Sequence, residues 1–363
     1  MPGARGTGKT VFLSRMQNEA IARGWGVLTI DAKGDPLLRS PCTLRWTYKG
    51  PTPWNPYGGS GSSPEISDKL LAGERWSESH YLRLGQRYIG AEVRTLREKG
   101  IEISLATIVT YLEPGKLLKL VEQDRDNKTL KSYLRNLTAE QEKGLAGVRD
   151  RLAVVSESEI GHWWEGGPDS INLWEATQRG ERLHFLLDAD GVPLLSAMIN
   201  AALILDLNTL VSRRNEVLMN GGTLEHLFVV IDEFGALAAD LSSIADRGRA
   251  AKITLVLATQ DLYSHTAKPE GLRGGLLANF DAMISLRQQS PPSATLVAEV
   301  SGEEEIVNTS WNDRKDNRYA IEEATRVRAG QIMRLPNYHA TVIVPSCPED
   351  SSVTIARLIN PAA

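Results

Sequence analysis

The stretch "GARGTGKT", from Gly3 to Thr10, is the part of the sequence that decides the fold. Its pattern, G-x-x-x-x-G-K-T, is that of a P-loop, in which successive backbone N–H groups bind phosphate oxygens. The lysine of this pattern, Lys9, reaches the terminal phosphates, and the hydroxyl of Thr10 holds a magnesium ion. We therefore expect a nucleotide to bind at residues Gly3, Ala4, Arg5, Gly6, Thr7, Gly8, Lys9, Thr10 and Val11.

The residues around the loop match the usual context of a P-loop on one side only. The following stretch, "VFLSRMQNEAIARG", has apolar residues at helical spacing, and Gly24 stands just after the last expected turn. A buried strand normally precedes a P-loop and holds it at the C-terminal edge of a parallel sheet. No strand pattern precedes Gly3, so either the chain is a fragment or its first strand comes from elsewhere. We expect a fragment that is cut just before its first strand.

Composition indicates a globular protein with a sizeable core. The 363 residues are 42% hydrophobic and 24% charged, and the net charge of −4 argues against a protein that coats nucleic acid by bulk charge. A local basic lining of a pore would not be visible in this total. Cys42 and Cys347 lie far apart and are expected to be reduced thiols. The most apolar long stretch begins at Leu194 and is interrupted by polar residues, which favours a buried helix over a membrane span.

Short apolar runs of the β type recur along the chain. Several are apolar throughout, which is typical of strands that are buried on both faces of a mainly parallel sheet. The runs are "GVLTID" to Asp31, "TLRWTY" from Thr43, "LHFLLD" to Asp188, "LFVVID" to Asp232, "ITLVLAT" to Thr259, "AMISLR" to Arg287 and "ATVIVP" to Pro345.

The strand pattern stops between Pro56 and Pro168. A Gly/Ser/Pro-rich loop is followed there by more than a hundred residues in which apolar side chains recur every three or four positions. This pattern predicts an all-helical insertion in an α/β protein. We expect a nucleotide-binding domain made of residues 1–55 and 169–363, with an all-helical insertion domain at 56–168.

A second chemical motif lies in "HLFVVIDEFGALA", where an apolar run ends at Asp232 and Glu233. This is a Walker B pattern, in which the first acid supports the magnesium ion and the second orients the attacking water. Such a pattern alone is weak evidence, but together with a complete P-loop it indicates nucleotide hydrolysis. A third run, "ITLVLATQDL", ends at Thr259 and Gln260, where P-loop ATPases often carry a polar sensor of the γ-phosphate. An ordinary loop amide is an equally good interpretation of Gln260.

The order and spacing of these motifs resemble the TraG/TraD-type coupling proteins of conjugation and type IV secretion, in the FtsK/HerA branch of P-loop ATPases. The resemblance covers nearly the whole chain. It rests on "GARGTGKT", "LTIDAKGD", "WNPYGG", the helical insertion, "LFVVIDEFGAL", "DRGRAAKITLVLATQDL" and "LLANFDAMISLRQQSPPSATLVAEVSG". The most specific parts are the segment from Asp31 to Asp35, the position of the insertion, and the Gly-Arg pair that precedes Gln260.

The resemblance implies an α/β fold with a RecA-like P-loop NTPase core, ATP and Mg²⁺ as cofactors, and a homo-hexameric ring whose channel passes DNA without sequence preference. It also implies partners such as a relaxase or other secretion-system proteins. Members of the family carry a membrane-spanning region ahead of the P-loop, which places them at the cytoplasmic face of the bacterial inner membrane. The chain then corresponds to a soluble, cytoplasmic motor fragment that lacks this anchor.

The resemblance also assigns roles to residues. Lys9 and Thr10 match the residues for phosphate and magnesium, Asp232 the metal support, Glu233 the water-orienting acid, and Gln260 the γ-phosphate sensor. Arg249 resembles the arginine finger that reaches into a neighbouring subunit's site, although an arginine at a helix end that pairs with Asp246 fits the sequence equally well. Arg287 and Arg273 are weaker candidates for the same role.

Other residues have two interpretations. Lys33 and Asp35 lie near the nucleotide or only close a turn. The pair Trp163-Trp164 is a base-stacking platform or, more in keeping with ordinary packing, a hydrophobic plug between the insertion and the core.

Two functional alternatives share the nucleotide site. One is an FtsK/HerA-like DNA translocase or a genome-packaging ATPase outside secretion, but such motors usually lack a helical insertion of this length at this point. The other is an adaptor that binds ATP without hydrolysis and docks secretion substrates. The intact acid pair Asp232-Glu233 argues against this adaptor.

Overall fold

The computed structural model describes most of the chain. The residues that it describes are 1–48, 50–59, 61–72, 76, 79–122, 124, 127–167, 169–187, 193–237, 241–263, 277–311, 317–347 and 352–358.

A five-stranded parallel sheet with surrounding helices forms the centre of the fold, with the strand order β2-β3-β1-β4-β5. The strands are β1 (Gly26–Asp31), β2 (Leu44–Thr47), β3 (Arg182–Leu186), β4 (Leu227–Asp232) and β5 (Ile253–Leu257). Every residue of β1 and β4 is buried, which explains why their sequences are almost continuously apolar. The α/β fold class that the apolar runs predict is confirmed.

Helices connect and cover these strands. They are α1 (Lys9–Ala22), α2 (Pro36–Arg39), α3 (Ser63–Leu71), α4 (Ser79–Glu98), α5 (Leu105–Tyr111), α6 (Pro114–Val121), α7 (Lys128–Arg135), α8 (Ala139–Ser156), α9 (Leu173–Gln178), α10 (Pro193–Met219), α11 (Ser242–Gly248), α12 (Pro291–Val300) and α13 (Ala329–Met333). The helix after the P-loop ends as the sequence predicts. Gly24 has a φ of 77°, and the N–H of Trp25 donates to the carbonyl of Ala20 in a Schellman arrangement.

Five further strands of the described part of the chain lie outside the parallel sheet. β6 (Met283–Leu286), β9 (His339–Ile343) and β10 (Val353–Arg357) form an antiparallel sheet in the order β10-β9-β6. β7 (Glu303–Trp311) and β8 (Asn317–Thr325) pair with each other as an antiparallel hairpin. The sequence predicts β6 and β9 as strands, but it does not indicate that they belong to a separate sheet.

Between Ser67 and Val155, the regular elements of the described residues are all helices. Two of these helices begin at capping boxes, because Ser62 exchanges hydrogen bonds with Glu65 before α3, and Thr138 with Gln141 before α8. The boundaries of a separate insertion domain at 56–168 stay a prediction.

The aromatic plug that the sequence suggests is present at Trp164. This side chain is fully buried, and its ring lies 5.8 Å from that of Trp54 and 5.9 Å from that of Tyr57. The side chain of Trp163 lies outside the described part of the chain. Trp164 therefore fits core packing and not a base-stacking surface.

Among the described residues, the helix α10 is long and apolar enough to cross a membrane by length and composition, and 56% of its most apolar window is buried inside the protein. On its side towards α3, Asp206 accepts a 2.7 Å bond from the Lys69 ammonium. Lys69 also donates to the carbonyl of Pro56. These contacts fit the buried helix that the sequence predicts.

Two compact units divide the chain. The first contains 1–19, 230–236 and 255–363, and the second contains 20–229 and 237–254. The boundary crosses β4 and β5. The P-loop, the acid pair after β4 and the residues that follow β5 all belong to the first unit.

Candidate nucleotide-binding site

The P-loop is held at two strand ends by the residues that lead into it. The N–H of Gly3 donates to the carbonyl of Thr259, and the N–H of Ala4 donates to that of Arg287, each over 2.9 Å. The N–H of Leu286 donates to the carbonyl of Pro2 over the same distance. Residues 2–4 therefore lie between the end of β5 and the end of β6, which is how a strand would hold the loop.

The loop itself has the backbone of a phosphate-binding turn. Gly6 and Gly8 have φ values of 76° and 101°, which glycine adopts without steric cost. The Thr7 hydroxyl donates to the carbonyl of Ala4 over 2.8 Å, and α1 begins directly afterwards at Lys9. Because the first N–H groups of a helix have no partner within it, this end of α1 favours an anion.

Lys9 lies against both members of the acid pair. Its ammonium is 3.2 Å from Oδ1 of Asp232 and 3.4 Å from Oε2 of Glu233. Lys9 and Asp232 are both buried. Two carboxylates at one partly desolvated position offer the oxygen ligands that a divalent cation such as Mg²⁺ binds. The residues present therefore fit a magnesium ion, with Asp232 and the hydroxyl of Thr10 as its candidate ligands.

Glu233 is held in one orientation from several sides. Its Oε1 accepts a 3.0 Å bond from the backbone N–H of Gln260 and a 3.3 Å bond from the Thr259 hydroxyl. Its backbone N–H donates to Oδ1 of Asp232, and its φ of 57° is in the left-handed region, which is costly for a residue with a side chain. Strained backbone of this kind concentrates at functional sites, where the surrounding contacts maintain it.

Gln260 meets the acid pair through its backbone N–H. The role of its side-chain amide as a γ-phosphate sensor stays a prediction. The contact of Thr259 with Glu233 is not predicted from the sequence, in which Thr259 is only the end of an apolar run. The available signal was a hydroxyl residue at the end of a strand next to the Walker B strand.

The arginine candidates lie in different places. Arg249 follows α11 and is exposed, and it belongs to the second compact unit. Arg287 follows β6, and its carbonyl binds the P-loop. Arg273 lies outside the described residues. The arginine-finger role of Arg249 stays a prediction.

The turn after β1 is closed by a buried carboxylate. Asp31 accepts hydrogen bonds from the N–H groups of Lys33, Gly34 and Asp35 over 2.8–2.9 Å, and from His184 Nε2 over 3.2 Å. Burial raises the pKa of Asp31, but the His184 bond and the backbone N–H donors outweigh burial and keep that pKa below its usual value. Asp35 caps α2 by accepting from the N–H of Leu37. These contacts favour the turn-closing interpretation of Lys33 and Asp35.

The chain is similar to known proteins in its fold. No family model matches the chain, and no curated protein matches it. Solved structures do match. The bacterial conjugative coupling protein TrwBdeltaN70 in its unbound form aligns with a TM-score of 0.72 at 17% identity, over 99% of this chain and 83% of that one. TrwB in complex with the ATP analogue ADPNP aligns with a TM-score of 0.70 at 17% identity, over 99% and 84% of the two chains.

A further match is VirB4 of Thermoanaerobacter pseudethanolicus, with a TM-score of 0.62 at 12% identity, over 99% of this chain and 88% of that one. The predicted resemblance to coupling proteins is therefore confirmed in the fold. The likeness spans the parallel sheet and the surrounding helices.

Proposed function

We propose that the chain is the ATP-hydrolysing motor of a conjugative coupling protein or of a closely similar type IV secretion ATPase. The observation that carries the proposal is the contact of the P-loop lysine, Lys9, with both Walker B acids, Asp232 and Glu233. The fold supports the same function, because a TrwB structure with this fold holds ADPNP and another holds ADP and Mg²⁺. ATP and Mg²⁺ are accordingly the cofactors that we assign to this chain.

Each residue of the site has its own role in the proposed hydrolysis of ATP. The backbone N–H groups from Gly3 to Val11 bind the phosphates, and Lys9 leaves the acid pair to neutralise the terminal ones. Asp232 and the hydroxyl of Thr10 would hold Mg²⁺, which would supply positive charge at the phosphate oxygens. Glu233 orients the attacking water and accepts its proton, while Gln260 and Thr259 keep its carboxylate in place. Little covalent chemistry is required of the protein in phosphoryl transfer.

We further propose that ATP hydrolysis drives DNA or a nucleoprotein through a homo-hexameric ring, with a relaxase or other secretion-system protein as partner, beside the cytoplasmic face of the membrane. This part rests on the family resemblance. Binding of DNA through its phosphates is independent of sequence and weakens as the salt concentration rises.

The test is ATP hydrolysis by the purified chain with Mg²⁺, measured without DNA and with DNA of several unrelated sequences. We expect turnover that requires Mg²⁺, that DNA of any sequence stimulates, and whose stimulation declines with salt. Tight ATP binding without turnover under all conditions would instead favour the docking adaptor. Turnover that DNA never stimulates would contradict the DNA motor but leave the ATPase.

A further inference from the structure

We propose that Tyr338 positions the P-loop, and that its aromatic ring sets the shape of the loop at Gly8. Tyr338 is far from the P-loop in sequence and belongs to no nucleotide-binding pattern. The proposal rests on the proposed function, because it concerns the same nucleotide site.

The first observation is the contact between the ring and Gly8. A Cβ atom at Gly8 would lie 2.6 Å from Cδ1 and 2.9 Å from Cε1 of Tyr338, which means that the ring occupies the space of a side chain there. Gly8 has a φ of 101°, so it needs glycine for its own backbone as well. The ring therefore lies directly against the backbone of the residue that precedes the phosphate-binding lysine.

The second observation is a backbone hydrogen bond on the same residue. The N–H of Tyr338 donates to the carbonyl of Thr7 over 2.9 Å. This carbonyl belongs to the peptide that joins Thr7 to Gly8, and a peptide unit is planar, with its C=O and N–H on opposite sides. Fixing the carbonyl on Tyr338 therefore also fixes the direction of the Gly8 N–H, one of the groups that bind phosphate in a P-loop.

The third observation is the backbone conformation of Tyr338 itself. Its φ is 61°, in the left-handed region, and among the described residues other than glycine only Glu233 and Lys252 share this property. A glycine would adopt the same conformation without steric cost. A bulky residue in such a place points to a function of its side chain.

The ring also packs against an apolar cluster. Tyr338 and Phe12 of α1 are partly buried against the apolar cluster of Leu286, Ala340 and Leu358. The N–H of Leu358 donates to the carbonyl of Tyr338 over 2.6 Å. Tyr338 thus connects the P-loop to the antiparallel sheet of β6, β9 and β10.

The test compares three variants with the unaltered chain. Tyr338→Gly removes the ring and relieves the backbone strain, Tyr338→Phe keeps the ring, and Lys252→Gly relieves the same kind of strain away from the loop. Two quantities are measured on each: amide hydrogen exchange of residues 6–10 without nucleotide, and the Kd for a fluorescent ATP analogue with Mg²⁺. Thermal unfolding midpoints are recorded alongside.

For Tyr338→Gly we expect faster exchange in the loop and a Kd raised about fivefold, the size of a lost aromatic contact. The unfolding midpoint should fall as well, because the ring no longer packs against the cluster of Leu286, Ala340 and Leu358. Tyr338→Phe and Lys252→Gly should both have the loop exchange and the Kd of the unaltered chain. Exchange and Kd unchanged in Tyr338→Gly would overturn the proposal. Because exchange is measured without nucleotide, a chain that binds no ATP but whose loop loosens in Tyr338→Gly would overturn the proposed function and not the positioning role.

Discussion

Lys9 carries the charge on which the proposed chemistry depends. In Lys9→Ala the terminal phosphates lose their ammonium partner, and Asp232 and Glu233 lose the charge that balances them. We expect ATP hydrolysis to fall about 10²- to 10³-fold, as when other preorganised electrostatic partners are removed, together with weaker ATP binding.

Steady-state ATPase rates and ATP titrations check this expectation. Lys116→Ala is the matched control. Lys116 lies in α6 and forms an exposed ion pair with Glu113, so its substitution should affect neither measurement. Retained turnover in Lys9→Ala would contradict the P-loop assignment.

Glu233 allows binding to be separated from chemistry. Glu233→Gln keeps the shape of the side chain and an oxygen for the Gln260 N–H, and it tolerates the left-handed backbone no worse than glutamate does. The amide cannot accept the proton of the attacking water, so we expect hydrolysis to fall about 10²- to 10⁴-fold with the affinity for ATP little changed. Isothermal titration and single-turnover kinetics measure the two effects. A collapse of ATP affinity would make Glu233 a metal ligand or a structural residue instead.

The sequence predicts the individual residues of the site unequally well. Lys9 and the acid pair belong to local patterns, so the sequence alone predicts that they share one nucleotide site. The contact between Glu233 and Thr259 depends on how two parallel strands lie side by side, and the contact between Gly8 and Tyr338 joins distant parts of the chain. Neither spacing nor composition carries that information.

At the scale of elements, strands with a conspicuous local pattern could be predicted from the sequence, and strands without one could not. β1 and β4 are buried throughout, so their apolar runs are conspicuous. The hairpin of β7 and β8 has few apolar residues, and Glu305 faces Glu323 across it. Like charges on opposite strands are unfavourable, so a sequence pattern gives no reason to pair these strands. Apolar runs also do not reveal which sheet a strand joins, as β6 and β9 illustrate.

The turn between β1 and α2 depends on one carboxylate, and this gives it a pH dependence. Asp31→Asn replaces one acceptor oxygen by a donor that faces N–H groups, so we expect the free energy of unfolding to fall by about 2 kcal/mol at neutral pH. Because the folded pKa of Asp31 is lowered, its stabilising contribution is complete above the unfolded pKa, which is 3.8 for an ordinary aspartate, and is lost as the pH falls through the folded value.

Urea unfolding of both proteins at pH 7 and at successively lower pH measures this difference. The gap in the free energy of unfolding between the unaltered chain and Asp31→Asn should narrow as the pH falls below about 4. A gap that stays constant with pH would mean that ionisation of Asp31 does not stabilise the turn.

At the scale of the whole molecule, substitution of Arg249 tests whether the chain works as a ring. A guanidinium from a neighbouring subunit can neutralise charge on the γ-phosphate and contribute on the order of 10³ to 10⁵ in rate. Its planar, permanently charged fork binds two phosphate oxygens together. We therefore expect Arg249→Ala to bind ATP and to hydrolyse it poorly.

Mixing of subunits distinguishes this role from a folding defect. Arg249→Ala and Lys9→Ala chains, each inactive alone, are combined under conditions in which rings exchange subunits. Some interfaces then pair an intact P-loop with an intact Arg249, and partial ATPase activity should return. The oligomeric state is followed by analytical ultracentrifugation, and mixed rings without any recovered activity would count against the role in trans.

The support of the P-loop by Tyr338 and Leu358 has a consequence for synthesis on the ribosome. The loop is made long before these supporting residues, because the carbonyl of Arg287, the N–H of Tyr338 and the anchoring N–H of Leu358 all come from much later positions in the sequence. Contacts of such large sequence separation form slowly and only after much of the chain has been ordered. A nascent chain therefore carries a nucleotide loop without these supports until Leu358 has been translated, and the fully supported site forms late in folding.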